Sequence, residues 1–218
     1  MLYGIISALV ILLVLMPLCF LGKYRWGKVY ELVFKGASTL ICVCLALGFC
    51  VGCGFSDTFA VLMFIGLCLC LLGDIFLEIV FPVGGLLFFF GHTLYVAGML
   101  TQGAITWWSL PAALIALVPV TLVYLRYRKQ MPDGLDRLTP IYGVALVALL
   151  ALALPLPITL GTQRAWLLSI GAVLFVASDL TLCRNLLENR GVKSQYPSLA
   201  MYYMAQLLLA LSVLSPLS

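Results

Sequence analysis

The chain alternates between long apolar runs and short polar connections. Eight apolar runs are each about 20 residues long, which is the length that a transmembrane helix needs. The pattern therefore predicts an all-α integral membrane protein, with residues 1–218 forming a single transmembrane domain built as a bundle of eight helices. The predicted spans are 2–21, 30–54, 59–81, 84–100, 108–127, 139–160, 166–187 and 198–217.

The composition excludes several other classes of protein. Of the 218 residues, 64% are hydrophobic and 9% are charged, and the mean hydropathy is +1.19. Soluble domains carry about 25% charged residues, so a water-soluble globule and a disordered chain are both excluded. The net charge of +4 is spread over short loops, which argues against nucleic acid as a partner. The first run lacks a basic leader and a small-residue cleavage site, so we expect it to be retained as a helix.

Metal and redox chemistry have little support in the sequence. The single His excludes a three-His zinc site within the chain. The eight Cys lie in or near apolar runs, where Cys behaves as a small hydrophobe. Cys50 and Cys53 have CxxC spacing, but no second cluster accompanies them. We therefore expect no metal and no cofactor.

The distribution of Lys and Arg predicts the orientation. Ten of the 12 Lys and Arg residues fall in the three loops that follow the first, fifth and seventh runs. Basic loops remain cytoplasmic, so we expect both termini to be non-cytoplasmic. A bacterial inner membrane fits this topology, as does the endoplasmic reticulum in a eukaryote.

Loops absorb most of the charges, but Asp74, Glu78, His92 and Asp179 remain inside the apolar runs. Each costs about 2.5–3.5 kcal/mol deep in a span, which makes such residues functional candidates. At about 1.5 Å per residue, the two aspartates and the histidine lie roughly 10–12 Å from the basic ends of their helices. We expect a site near the cytoplasmic leaflet, in a polar layer that also holds Lys35, Tyr202 and Gln206.

Helical phase and internal similarity refine this expectation. Side chains that share a helical face are Asp74 with Glu78, Phe88 with His92 and Tyr95, and Tyr202 with Gln206. Glycines at 84, 91 and 98 predict a line of close helix packing. The segment LCLLGDIFLEI resembles VLFVASDLTLC four spans later. This similarity predicts a parallel duplication of four plus four spans, with the two aspartates facing each other across a pseudo-twofold axis.

Simpler interpretations remain open for each residue. Either aspartate could bridge helices, His92 could be a satisfied core residue, and Tyr202 with Gln206 could join helices by hydrogen bonds. Lys35 could extend to the interface, and Glu78 could be interfacial. These interpretations explain poorly why two carboxyls, an imidazole and several phenols occur at one depth.

Four segments, LLGDIFLEI, FFFGHTLYVAG, GAVLFVASDLTL and YYMAQLLLALSV, occur in this order. Together they resemble the YhhN family, whose animal members are lysoplasmalogenases. One departure is Gly36 after Lys35, where the family usually has proline. The resemblance assigns functional roles to a set of polar residues that comprises Asp74, His92, Asp179, Lys35, Tyr95, Tyr202 and Gln206.

The activity that this resemblance implies is hydrolysis of the vinyl ether bond of a lysoplasmalogen. The products are a fatty aldehyde and glycerophosphoethanolamine or glycerophosphocholine. The reaction needs a carboxylic acid that is protonated near neutral pH, and burial beside a second carboxylate favours that form. We therefore expect Asp74 and Asp179 to form a catalytic pair, with the donor undecided. His92 would orient or relay the proton, Lys35 would bind the phosphate together with tyrosine hydroxyls, and Glu78 is a further candidate for substrate binding.

Other functions are compatible with intramembrane Asp and His residues. A proton-coupled transporter of lipids or small molecules would use them near the midplane. A lysophospholipase would act on acyl lysolipids, although the sequence has no G-x-S-x-G motif. A purely structural role is the remaining alternative. The expected partners are a lysophospholipid substrate and membrane lipids. The headgroup, the chain length and the oligomeric state stay open.

Overall fold

The computed structural model describes residues 6–7, 9–21, 25, 27–131, 135–188, 191 and 194–215. Within these residues the regular structure is entirely helical. The helices are α1 (Val10–Leu15, wound as a π-helix), α2 (Met16–Leu21), α3 (Lys28–Gly52), α4 (Thr58–Ile79), α5 (Phe81–Thr101), α6 (Ser109–Tyr127), α7 (Leu135–Ala153), α8 (Leu156–Leu160), α9 (Gln163–Leu187) and α10 (Gln195–Leu214). A short 3₁₀ turn, Arg128–Gln130, follows α6.

Seven helical segments of the described chain are long and apolar enough to cross a membrane. They correspond to the second to eighth predicted spans, with ends that differ by a few residues. The predicted span 2–21 lies partly outside the described residues, so the prediction of eight spans stays open. The protein is a multi-pass membrane protein whose outward surface is apolar: in α6, Leu110 and Ile115 are 69% and 67% exposed.

Local sequence signals set several helix ends. The side chain of Asp57 caps α4 by accepting hydrogen bonds from the backbone N–H groups of Phe59 and Ala60 at 2.9 and 3.3 Å. Thr162 caps α9 in the same way through the backbone N–H of Ala165 at 3.2 Å. Gly161, at φ 65°, ends α8 in the left-handed conformation that glycine adopts without strain.

Glycine brings α4 and α5 into close contact. A Cβ atom on Gly91 would lie 2.8 Å from Cys70 Sγ, and one on Gly98 would lie 3.3 Å from Met63 Sδ. A Cβ atom on Gly73 would meet the Phe88 ring at 3.0 Å. The predicted line of close packing along α5 is therefore confirmed. This approach carries the polar side chains of both helices into the bundle interior.

The polar interior is surrounded by α3, α4, α5, α7, α9 and α10. Helix α3 packs against α4 and α10, and α7 packs against α5 and α9, while the adjacent pairs α4–α5 and α9–α10 pack most extensively. Each aspartate-bearing helix, α4 or α9, therefore lies beside a preceding helix that carries hydroxyl groups.

Arg164, near the start of α9, binds the C-terminal end of α10. Its Nε and Nη2 atoms donate to the Ser215 carbonyl at 3.0 and 2.7 Å, and Nη1 donates to Gln102 Oε1 at 3.1 Å. The guanidinium also lies 4.7 Å from the centre of the Phe59 ring. Arg164 is only 5% exposed. These contacts replace the hydration that a buried guanidinium loses, and they join the C-terminal end of α10 to α9.

Candidate active site

The Asp74 carboxyl group is buried among hydroxyl and ammonium donors. Thr39 Oγ1 from α3 donates to Asp74 Oδ2 at 2.5 Å, and the Tyr202 hydroxyl from α10 donates to the same oxygen at 2.8 Å. Lys35 Nζ lies 3.8 Å from Asp74 Oδ1. Asp74 is 1% exposed. Two hydroxyl donors and one cation therefore stabilise a negative charge on this carboxyl group.

Lys35 lies between two carboxyl groups. Its Nζ atom is 3.4 Å from Glu78 Oε1, one helical turn along α4 from Asp74. The predicted shared face of Asp74 and Glu78 is confirmed, because both contact one ammonium group. Lys35 is 7% exposed, so its burial depends on this neutralisation. We call Lys35, Thr39, Asp74, Glu78 and Tyr202 the Asp74 cluster.

A chain of hydrogen bonds extends from this cluster to α5. The Tyr95 hydroxyl donates to Gln206 Oε1 at 2.9 Å, and Gln206 Nε2 donates to the Tyr202 hydroxyl at 3.1 Å. The Tyr95 hydroxyl also lies 3.5 Å from Cys70 Sγ. Since Tyr202 donates to Asp74, all three donors of the chain point toward the Asp74 carboxyl group.

Asp179 has a different set of partners. The Tyr142 hydroxyl from α7 donates to Asp179 Oδ2 at 2.5 Å, and His92 Nε2 from α5 lies 3.6 Å from the same oxygen. Among the described residues, no lysine or arginine contacts Asp179. Its side chain is 12% exposed, so it is more accessible than that of Asp74. We call His92, Tyr142 and Asp179 the Asp179 cluster.

The contacts of His92 determine its neutral tautomer. Its Nδ1 atom lies 2.6 Å from the Phe88 backbone oxygen, which can only accept a hydrogen bond. Nδ1 therefore carries the proton, and the neutral ring presents a lone pair at Nε2. This Nε2 atom is fully buried and has no hydrogen-bond partner. The imidazole thus directs an unsatisfied acceptor toward Asp179.

Aromatic rings connect the two clusters. The Phe175 ring packs edge-on against His92 at a centroid distance of 4.4 Å and against Tyr202 at 5.5 Å. No hydrogen bond or ion pair between described residues joins the two carboxyl groups. The catalytic pairing of Asp74 and Asp179 stays a prediction. Each carboxyl group has its own hydrogen-bond donors, and the Phe175 ring contacts a member of each cluster.

Sequence reasoning missed three residues of the site: Thr39, Tyr142 and Phe175. Thr39 lies one turn after Lys35, and this spacing was the available signal. Tyr142 lies inside the predicted span 139–160, where a single tyrosine gives no signal of the helix that it will face. A phenylalanine in an apolar run gives no signal of its own. No group of three or more His, Cys, Asp or Glu side chains among the described residues could hold a metal ion.

Comparison with known proteins adds a family to this geometry. The chain matches the model of the YhhN family over residues 30–213. No curated protein and no solved structure matches the chain. The matched region runs from α3 to the end of α10, and it contains both aspartates together with all of their described partners. On this match over most of its length, the chain belongs to the YhhN family.

Proposed function

We propose that the protein hydrolyses the vinyl ether bond of a lysoplasmalogen, yielding a fatty aldehyde and a glycerophospho-alcohol. The observation that carries the proposal is the difference between the two aspartates. One lies among a cation and two hydroxyls, and the other lies between a phenol and an imidazole lone pair. Vinyl ether hydrolysis needs one carboxyl group that donates a proton and fixed polar groups that support a developing cation.

The reaction has three balanced steps. The acid transfers a proton to the alkene carbon remote from the ether oxygen, which produces an oxocarbenium ion. Water then adds to the carbon that bears oxygen and loses a proton to a base, giving a hemiacetal. The hemiacetal breaks its bond to the glycerol oxygen, which takes up a proton, and its hydroxyl becomes the aldehyde carbonyl.

We assign the acid role to Asp179. Its accessible side chain contacts no lysine or arginine of the described chain, so nothing cationic holds it in the ionised form. His92 Nε2 is the base that accepts the proton from water, and its 3.6 Å distance from Asp179 Oδ2 allows that proton to restore the acid. The Phe175 and Tyr142 rings pack against His92 at centroid distances of 4.4 and 5.4 Å, which brings aromatic π-systems close to an oxocarbenium ion formed beside Asp179.

We assign electrostatic and binding roles to the Asp74 cluster. Asp74 remains ionised and fixes Tyr202, while Gln206 and Tyr95 extend that order to α5. Lys35 and Glu78 have opposite charges 3.4 Å apart, and a zwitterionic headgroup carries the same two charges. In this proposal Lys35 binds the phosphate and Glu78 binds the ammonium.

We further propose the orientation and ancestry of the bundle. Positive loops suggest a cytoplasmic position for the end that carries Arg126 and Arg184, with the site near that leaflet. A duplication of four plus four spans is supported by the equivalent surroundings of the aspartates. Each carboxyl group accepts a hydrogen bond from a hydroxyl on the preceding span, Thr39 for Asp74 and Tyr142 for Asp179. Each also contacts a ring from the other half of the bundle, Tyr202 for Asp74 and His92 for Asp179.

A substrate panel tests the proposed reaction. Purified protein in detergent is incubated with alkenyl, alkyl and acyl lysolipids of one headgroup, and aldehyde and fatty acid are measured by mass spectrometry. We expect aldehyde from the alkenyl lipid alone, with one solvent deuterium on the carbon beside the aldehyde group when the reaction runs in D₂O. Fatty acid from the acyl lipid alone would replace this proposal with a lysophospholipase.

Substitution of single carboxyl groups tests the assignment of roles. Asp179→Asn removes the acid and should lower kcat by about 10²–10⁴-fold. The matched control is Asp57→Asn, which makes the same chemical change at the cap of α4, where asparagine caps equally well. Full activity in a folded Asp179→Asn variant would refute the assignment.

A further inference from the structure

A groove of about 500 Å³ lies between α6 and α9, and no residue of the Asp74 cluster or the Asp179 cluster lines it. Its walls combine apolar and basic side chains. The residues used below are Leu122, Val123, Arg126, Tyr127, Leu180 and Arg184.

The groove is apolar at one level and cationic at the next. Arg126 follows Leu122 by four residues, and Arg184 follows Leu180 by four, so the Cα atom of each arginine lies about 6 Å further along its helix. Apolar side chains at membrane level followed by arginines at the span end match the order of acyl chain and phosphate in a phospholipid.

The charge of this groove is not balanced by the described chain. Arg184 Nε pairs with Glu188 Oε2 at 3.2 Å, and the Tyr127 hydroxyl donates to the other oxygen of Glu188. Arg126 is exposed and forms no ion pair among the described residues. Two guanidinium groups therefore face one carboxylate, which leaves capacity for an anion. Arginine suits phosphate because its planar donors bind two oxygens together.

Helical phase separates the groove from the proposed chemistry. At about 100° per residue, Arg184 stands roughly 140° around α9 from Asp179. The phosphate-binding arginine of α9 therefore lies on a different face of the helix from Asp179, and no member of the Asp179 cluster lines the groove. We propose that the groove binds an anionic phospholipid of the bilayer, with its phosphate between Arg126 and Arg184 and its acyl chain along Leu122, Val123 and Leu180.

Binding of defined lipids tests this proposal. Native mass spectrometry of the detergent-purified protein compares dioleoylphosphatidylglycerol with dioleoylphosphatidylcholine. We expect preferential binding of phosphatidylglycerol, and the double variant Arg126→Gln/Arg184→Gln should weaken it about tenfold or more. The control Arg128→Gln/Lys129→Gln removes the same charge from the adjacent turn, outside the groove, and should bind as the wild type does.

If the double variant does not fold, the single variant Arg126→Gln replaces it. This variant leaves the ion pair between Arg184 and Glu188 intact and should also weaken binding of phosphatidylglycerol. The same affinity in the groove variants and the control would overturn the proposal. So would equal binding of the two lipids by the wild type. Vinyl ether hydrolysis is measured in a separate assay. A negative result for lipid binding in the groove therefore does not affect the proposed hydrolysis, and a negative result for hydrolysis does not affect the proposed groove.

Discussion

Gly66→Ala tests whether the contact between α4 and α5 holds the site in position. A Cβ atom on Gly66 would lie 2.6 and 2.8 Å from two carbons of the Tyr95 ring and 3.2 Å from the Gly91 carbonyl oxygen. Carbon atoms normally approach to about 3.5–4.0 Å. The ring must therefore move by roughly 1 Å, which would disturb its hydrogen bond to Gln206.

The magnitude follows from the surroundings of that ring. Tyr95 is fully buried, and overpacking such a position costs about 1–3 kcal/mol. Disturbing the Tyr95–Gln206 hydrogen bond adds about 1 kcal/mol. The gain in helix propensity from glycine to alanine returns up to about 1 kcal/mol. We expect Gly66→Ala to lower the free energy of unfolding by about 1–3 kcal/mol.

The assay compares this variant with Gly48→Ala. A Cβ atom on Gly48 would meet no atom within 4 Å, so this control gains the helix propensity without the collision. Thermal unfolding in detergent and aldehyde release are measured for both variants. The control should be at least as stable as the wild type, and Gly66→Ala should be less stable and less active. Equal stability and activity of the two variants would refute the reasoning.

Two further substitutions probe the buried charges. Lys35→Met leaves Asp74 and Glu78 without their shared cation and should lower the free energy of unfolding by about 3–5 kcal/mol. The control Lys35→Arg keeps the cation and should retain most of that stability. Thermal unfolding of both variants measures the difference, and a methionine variant as stable as the wild type would contradict the prediction. Arg164→Ala deprives the Ser215 carbonyl and Gln102 of their donor and should lower the free energy of unfolding by about 2–4 kcal/mol. Arg164→Lys should lose less stability, as measured by chemical denaturation. Equal stability of the two variants would argue against a bidentate contact.

The sequence was sufficient for features that depend on a single helix. Spans follow from the length of apolar runs, and shared faces follow from the helical period. The shared face of Asp74 and Glu78 was predicted in this way, as was a line of close packing along α5 that includes Gly91 and Gly98. The cost of a charge in the membrane also directed attention to Asp74 and Asp179, because such residues must find partners inside the bundle.

Contacts between helices were beyond the sequence. Hydroxyl and aromatic residues are frequent in apolar runs, so nothing distinguished Tyr142 as a donor before the helices were packed. The spacing of Thr39 from Lys35 indicated a shared face but not the carboxyl group that it contacts. Equal depth also does not determine lateral position. Asp74 and Asp179 were expected to pair because they lie at one level, but depth alone did not indicate their partners. These come from α3 and α10 for Asp74 and from α7 and α5 for Asp179.

The contacts of α10 have a consequence for biosynthesis. Because synthesis runs from the N-terminus, Tyr202 and the Ser215 carbonyl arrive after Asp74 and Arg164 are already in place. Until α10 inserts, the aspartate lacks one hydroxyl donor and the guanidinium lacks its carbonyl acceptor. Insertion of this helix satisfies both groups at once, one near each end of the bundle. A nascent chain that stalls before α10 therefore carries two buried polar groups that still lack a hydrogen-bond partner.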